Sequence, residues 1–244
     1  MQVEFKENAE IKQYTTFKIG GNVKGLYLPA NQQEFVSLLN ELDNYIVLGN
    51  CSNVLFSSNG YSGNVILTSS MKNFEIRGTH VIASAGVKGP LLAQKACENS
   101  LSGFEFMIGF PGSIGGEIFM NAGCHGQNIS DTLTRCCLYD KEKKEVVYKE
   151  KSEMEFSYRH SILHNGRYIL LGAEFELSKK PKEEIQALMD RNLAFRKEIQ
   201  PSLAIPNAGS VFKNPPNDSA GRLLDKAGAK NFDMPRVKVW DRHA

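Results

Sequence analysis

Gly109-Phe-Pro-Gly-Ser-Ile-Gly-Gly116, followed by Asn121-Ala-Gly123, is the stretch on which the reading of this chain turns. Five of the residues from 109 to 116 are Gly or Pro. Glycine lets a backbone take positive φ and lets another molecule approach its amides with no Cβ in the way. Successive amides exposed by such a loop form a nest for an anion, most often a phosphate. The loop lies between residues 104–108 and 117–120, two apolar segments that read as strands. That context predicts a nucleotide's pyrophosphate against strand ends rather than a surface hairpin. The spacing is G-x-x-G-x-x-G-G, not the G-x-G-x-x-G dinucleotide fingerprint, and the residues that follow do not read as a helix.

Upstream stands a second small-residue loop, Leu48-Gly-Asn-Cys-Ser-Asn53, entered from the β-type run Tyr45-Ile-Val-Leu48 and backed by Gly60 and Gly63. The first loop in the chain offers hydroxyl and amide groups at close approach, the second offers glycine amides. Together they suit the two phosphates and ribityl chain of a large nucleotide. Around them, Phe35, Leu38, Leu39 and Leu42 mark one apolar face of a helix over 32–43. Strands are expected at 64–68, 80–84 and 167–177, a helix over 90–99 with Pro90 at its start, and a hairpin over 136–149. Residues 183–198 form the clearest helix, with Ile185, Leu188, Met189 and Leu193 inward. A short helix follows, capped by Asp218 or Ser219 and ended by Gly228, with Leu223, Leu224 and Ala227 inward. Strands interleaved with helices give a mixed α and β class.

With 244 residues the chain holds one large domain or two to three smaller ones. Hydrophobic content of 41% and charged content of 23% are ordinary for a globular protein. A net charge of +2 argues against a nucleic-acid binder and still suits a small anionic ligand. Apolar runs fall short of the ~20 residues of a membrane helix, and the N-terminus shows no secretory pattern. Five cysteines without a C-x-x-C pair indicate reduced thiols in a cytoplasmic protein. The scattered histidines give no metal-binding spacing, so no metal is expected.

At this point the chain resembles the UDP-N-acetylenolpyruvoylglucosamine reductase (MurB) family, bacterial flavoenzymes of peptidoglycan precursor synthesis. The pieces that carry the resemblance are Thr16-Phe-Lys-Ile-Gly-Gly21, Leu48 to Asn53, Ala85-Gly86, Leu101-Ser-Gly-Phe-Glu-Phe106, Gly109 to Gly123, Ser157-Tyr-Arg-His-Ser161, Phe195-Arg-Lys with Gln200-Pro201, Asn207 to Pro215, and Ala220-Gly-Arg-Leu-Leu224. The resemblance implies an α+β fold: a vanillyl-alcohol-oxidase (PCMH-type) FAD domain of two subdomains, 1–68 and 69–180, with a smaller substrate domain over 181–244. It implies non-covalent FAD held by Gly49, Asn50, Cys51, Ser52 and Asn53 of one loop. The other loop supplies Gly109, Pro111, Gly112, Ser113, Ile114, Gly115, Gly116, Asn121, Ala122 and Gly123. NADPH is the implied co-substrate and the UDP-sugar enolpyruvate the substrate, with hydride passing from flavin N5 to C3 and a proton arriving at C2. A cytoplasmic monomer without nucleic-acid or membrane partners is expected.

The residue types suit that chemistry. Charge developing on a substrate carboxylate calls for a permanently cationic planar fork, which Arg159 supplies. Ser210 matches the family's proton donor, a poor acid that still protonates a strongly basic carbanion when its alkoxide is stabilised, with Lys213 as a candidate stabiliser. Asn214 and Tyr158 are substrate-binding candidates, and Lys18 occupies a basic slot near the flavin or a solvated edge. Cys51 and Cys124 read as small structural thiols.

Arg242-His-Ala244 matches a motif that in the family leads into a further strand, a helix and a late glutamate serving as second acid/base. A C-terminally truncated member is therefore expected, of the compact subtype, because the span from Phe175 to Arg191 has no room for the longer subtype's insertion. Two other readings stand beside the reductase. One is a flavin-dependent sugar or lactone oxidase with His125 as a tether, the other a non-catalytic nucleotide-binding module.

Overall fold

The computed structural model describes residues 3–232 and 234–243, so Ala244 of the Arg242-His-Ala motif lies outside the described residues. The chain opens with β1 (Glu4–Glu10) antiparallel to β2 (Asn22–Leu28), two strands without an expectation from sequence. Helix α1 (Gln32–Glu41) follows, started by a capping pair: Asn31 Oδ1 accepts the Glu34 amide at 2.9 Å, and the Glu34 carboxylate accepts the Ala30 amide at 2.8 Å. β3 (Tyr45–Leu48) and β4 (Tyr61–Leu67) complete a four-stranded sheet, in which β4 lies parallel between β2 and β3.

β5 (Phe74–Arg77) and β6 (His80–Ser84) begin a second sheet. The chain then leaves it through α2 (Gly89–Glu98), β7 (Leu101–Ser102), α3 (Ile114–Phe119), the two-residue pair β8 (Gly123–Cys124) and β9 (Gln127–Asn128), and α4 (Ile129–Thr132). It returns as the hairpin of β10 (Leu133–Asp140) and β11 (Glu145–Glu150), then β12 (Tyr168–Glu176). The order is β11-β10-β12-β6-β5, antiparallel throughout. The expected hairpin tip is real, with Asp140 facing Glu145. β13 (Ser178–Lys179) pairs with β7, and α5 (Lys182–Ile199) and α6 (Ala220–Lys226) follow.

Two expectations fail around the glycine-rich stretch. Residues 105–109 form a 3-10 turn, not a strand, and residues 117–119 lie inside α3, which starts directly at Ile114. Gly115 and Gly116 cost helix propensity of about 1 kcal/mol each, which hides the helix from a sequence reading. On α5, Ile185 and Met189 are buried as expected, but the third buried residue is Asn192, whose amide donates to Glu105 O at 3.2 Å; Leu188 and Leu193 are only partly covered. On α6, Ser219 Oγ accepts the Arg222 amide as the cap and Gly228 takes φ +76°. Its apolar face is not inward, however: Leu223 is 41% exposed and Ala227 is exposed.

The core divides into three clusters. One fills the first sheet around Leu26 and Val65, and a larger one packs the second sheet against α2, α3 and α5. The third joins the sheets. Phe35, Leu38 and Leu39 of α1 meet Ile66 of β4 and Tyr139 and Leu171 of the second sheet. Tyr139 keeps its hydroxyl satisfied in that apolar seam by donating to Asn40 Oδ1 at 2.6 Å. No helix among the described residues is long and apolar enough to cross a membrane. Phe35 is wholly buried, so Phe35→Ala is expected to cost about 3–5 kcal/mol in urea unfolding, whereas Leu223→Ala should be close to neutral.

Candidate functional site

The two glycine-bearing loops touch. A Cβ at Gly49 would stand 2.1 Å from Ser113 Oγ, so only glycine lets the β3 exit meet the start of α3 this closely. Asn50 Nδ2 donates across the same gap to Pro111 O at 2.5 Å. Of the second loop's amides, Ile114 and Gly115 donate to Val87 and Ala85, which ties the loop to the 85–87 segment and turns the Ile114 side chain into the core. Cys51, at φ +49°, bends the first loop back and is buried; burial pushes its thiol up to about 12, that of an inert packing residue.

From this pair the contacts continue through Arg159. Its guanidinium donates to Asn121 O (3.4 Å) and Gly123 O (3.0 Å) and lies 5.0 Å over the Tyr158 ring. Its own carbonyl accepts Lys213 Nζ at 3.1 Å, and Tyr158 Oη accepts the Asn214 amide at 3.2 Å. The 207–215 segment that carries Ser210 is thereby held at one end. At its other end Asn53 Nδ2 donates to Ala208 O (2.6 Å) and Ser210 O (2.9 Å), while Thr16 exchanges hydrogen bonds with Asn207. The ring closes: first loop, second loop, Arg159, the 207–215 segment, and back to Asn53. Residues of 49–53, 109–123, 157–161 and 207–215 are thus joined in one ring of contacts.

Three residues of this ring, Cys51, Asn121 and Arg159, take left-handed φ between +40° and +53° although none is glycine. Such conformations cost of order 1–2 kcal/mol each and persist where surrounding contacts fix them. Lys213 holds Arg159's carbonyl, a contact that orders the segment. Lys18 is exposed and donates to Gln13 O within its own turn. His125 packs edge-on against Phe195, centroids 5.6 Å apart. No group of three or more His, Cys, Asp or Glu among the described residues is placed to hold a metal ion.

The residues fit an anionic, hydrogen-bonding cofactor. Ser113 Oγ at the loop junction and Asn121 Oδ1 beside Arg159 are buried and have no partner among the described residues, as expected of groups that a polar ligand satisfies. Two residues that sequence reasoning did not single out belong here. Arg196 of α5 lays its stem across Gly109, and burial lowers its pKa. Among the described residues neither Arg196 nor Arg159 has a carboxylate within 4.0 Å, and both cations pull against the burial that lifts the Cys124 thiol to about 11. The Phe195-Arg-Lys motif was the available signal for Arg196. The other is Glu117, a carboxyl that is 3% exposed with both oxygens unpartnered.

Residues 200–244 match the UDP-N-acetylenolpyruvoylglucosamine reductase C-terminal domain, and residues 23–141 match the FAD binding domain. The chain is 40% identical to the UDP-N-acetylenolpyruvoylglucosamine reductase of Caldicellulosiruptor bescii, over 99% of its length and 78% of the relative's. The chain belongs to this reductase family. The enzyme of the same name from Lactococcus lactis is 39% identical over 98% of this chain and 81% of its own. The crystal structure of the Thermus caldophilus reductase (MurB) superposes with TM-score 0.85 at 33% identity, covering all of this chain and 86% of that one. More distantly, 6-hydroxy-D-nicotine oxidase from Arthrobacter nicotinovorans shares the fold, with TM-score 0.56, 15% identity, and 74% and 43% coverage. The reductase family to which this chain belongs consists of FAD-dependent oxidoreductases, and the fold is the α+β arrangement expected for them.

Burial raises the Glu117 carboxyl from 4.5 to about 8. Its protonated form therefore contributes stability that is complete below about pH 4.5 and lost as pH rises through about 8. In thermal melts without ligand, Tm of the wild type should fall across that window, while Glu117→Gln should remove most of the slope and melt higher at pH 8. Alkylation of native protein at pH 8 should also spare Cys51 and Cys136, which burial holds above the reactive range.

Proposed function

We propose that this chain reduces UDP-N-acetylglucosamine enolpyruvate to UDP-N-acetylmuramate, with NADPH as electron source, in the bacterial cytoplasm. One observation carries the proposal: Arg159 and the segment bearing Ser210 are hydrogen-bonded into one ring with both glycine-bearing loops. When bound, FAD would supply the redox chemistry that links NADPH oxidation to reduction of the enolpyruvyl group. Gly49, Asn50, Ser52 and Asn53, with Pro111, Ser113, Gly116 and Asn121, hold the cofactor against the loop junction.

Arg159 binds the substrate carboxylate. Two of its donors are fixed on Asn121 and Gly123, and the rest of its five N–H groups remain for the anion. As charge moves onto C2 and the carboxylate, a guanidinium held in this way needs no reorganisation to meet it. Ser210 delivers its hydroxyl proton to C2, on a segment whose backbone Asn53 fixes. Tyr158 and Asn214, locked together at 3.2 Å, are offered to the sugar and diphosphate. Lys213 adds positive charge close to both groups. The strands of the first sheet end at Leu67 and those of the second begin at Phe74, which supports a division of the flavin domain near residue 68.

The test is substrate-dependent NADPH oxidation by the purified flavoprotein. Arg159→Ala and Ser210→Ala should each lower kcat/KM by about 10³-fold or more, and Ser210→Ala should still let NADPH reduce the flavin. Ser210→Cys should retain more turnover than Ser210→Ala, because a thiol also donates a proton. Equal rates in wild type, Ser210→Ala and Ser210→Cys would falsify the role of Ser210.

A further inference from the structure

Glu117 stands on α3, and its carboxyl occupies a gap between two backbones. A Cβ added at Gly89 would lie 2.4 Å from Oε1, and one added at Gly112 would lie 3.1 Å from the same oxygen. The carboxyl thus touches both the first residue of α2 and the bend of the second glycine-rich loop. Neither of its oxygens meets a donor among the described residues. The residue after Gly112 is Ser113, whose hydroxyl faces Gly49 across the loop junction. A change in the height of Gly112 above α2 therefore moves the junction itself.

We infer that Glu117 is a positioning residue of the flavin site: its carboxyl props Gly112 off Gly89 and so sets where the second loop stands against the cofactor. This rests on the proposed lodging of FAD at the loop junction. A neutral carboxyl tolerates a dry, unpaired gap at modest cost, whereas a carboxylate demands water or a partner. Burial is the sole cause of the raised Glu117 pKa of about 8. The groups around it do not offset that burial. Cys124 feels Glu117, and Arg159 and Arg196 act on that same thiol. Lys88, at the foot of α2, is exposed. The titratable groups of the elements packed on α3 leave the carboxyl's titration unchanged: His80 on β6, Tyr168, Glu174 and Glu176 on β12, Asp131 on α4, and His164 in the 162–165 turn. Ionisation of Glu117 draws water into the gap and shifts Gly112, which loosens the flavin.

The experiment is flavin release from the purified holoprotein, followed by flavin fluorescence from about pH 6.5 to 9.5, for wild type, Glu117→Gln and Glu117→Ala. The apparent Kd of the wild type should rise about tenfold per pH unit above about pH 8. Glu117→Gln, with the same shape and no titrating proton, should stay level, and Glu117→Ala should bind more weakly already at pH 7. In the wild type alone, the infrared band of a protonated carboxylic acid should vanish in step with flavin release. Superimposable pH profiles for wild type and Glu117→Gln would overturn the inference, as would an infrared band that disappears without loosening the flavin. A wild-type protein that takes up no flavin at any pH would instead overturn the placement of the cofactor.

Discussion

The candidate site depends first on the bifurcated grip of Asn53 on the 207–215 segment. One amide nitrogen donates to the carbonyls of Ala208 and Ser210, fixing a stretch of chain that has no regular secondary structure and is largely exposed. Without such a tie, an irregular segment samples many conformations, at a conformational entropy of about 1–2 kcal/mol per residue at ordering. The second tie, through Lys213 and Asn214 to the 158–159 corner, converts a tether into a span. Ser210 stands at the Asn53 end of that span, three residues before the Lys213 tie to Arg159.

The anchors themselves are only as fixed as the sheets that carry them. Asn53 follows β3 of the first sheet, whereas Arg159 lies between β11 and β12 of the second. The apolar seam of Phe35, Ile66, Tyr139 and Leu171 holds those sheets in register with one another. The route from core packing to the geometry of the candidate site thus runs through α1, which contributes no residue to the ring of contacts. Left-handed φ at Cys51, Asn121 and Arg159 follows the same logic, since backbone strain survives where rigid neighbours on both sides enforce it.

Much of this was legible in the sequence because it rests on local rules. Apolar spacing marked α1 and α5, turn chemistry marked the β10–β11 hairpin, and Ser219 with Gly228 marked the ends of α6. The candidate site residues came from ordered motifs, and hydrogen bonds join the segments that carry them. What was not legible is what depends on tertiary context. Helix α3 hides behind two glycines that lower its intrinsic propensity, of which Gly115 packs closely on Ala85, where a Cβ would stand 3.1 Å from the carbonyl oxygen. β1 and β2 alternate poorly: β1 reads as an exposed, charged edge, and β2 derives its burial from partners remote in sequence. The exposed Leu223 shows the converse error, a helical apolar face inferred from spacing that the described residues do not bury.

Electrostatics explains why a carboxyl can sit beneath the second loop at all. Arg159 on Asn121 and Gly123, and Arg196 across Gly109, have no carboxylate within 4.0 Å among the described residues, so this end of the second loop carries positive charge that an anionic ligand can meet. An ionised Glu117 would cancel part of that field, since charges in a low-dielectric interior interact several-fold more strongly than in water. Burial without donors keeps the residue neutral at physiological pH, so it fills space without opposing the arginines. The same neutrality makes its unpaired oxygens bearable. Adding a lysine or amide partner for Glu117 would satisfy those oxygens, yet it would also ionise the carboxyl and weaken the attraction on which anion binding depends.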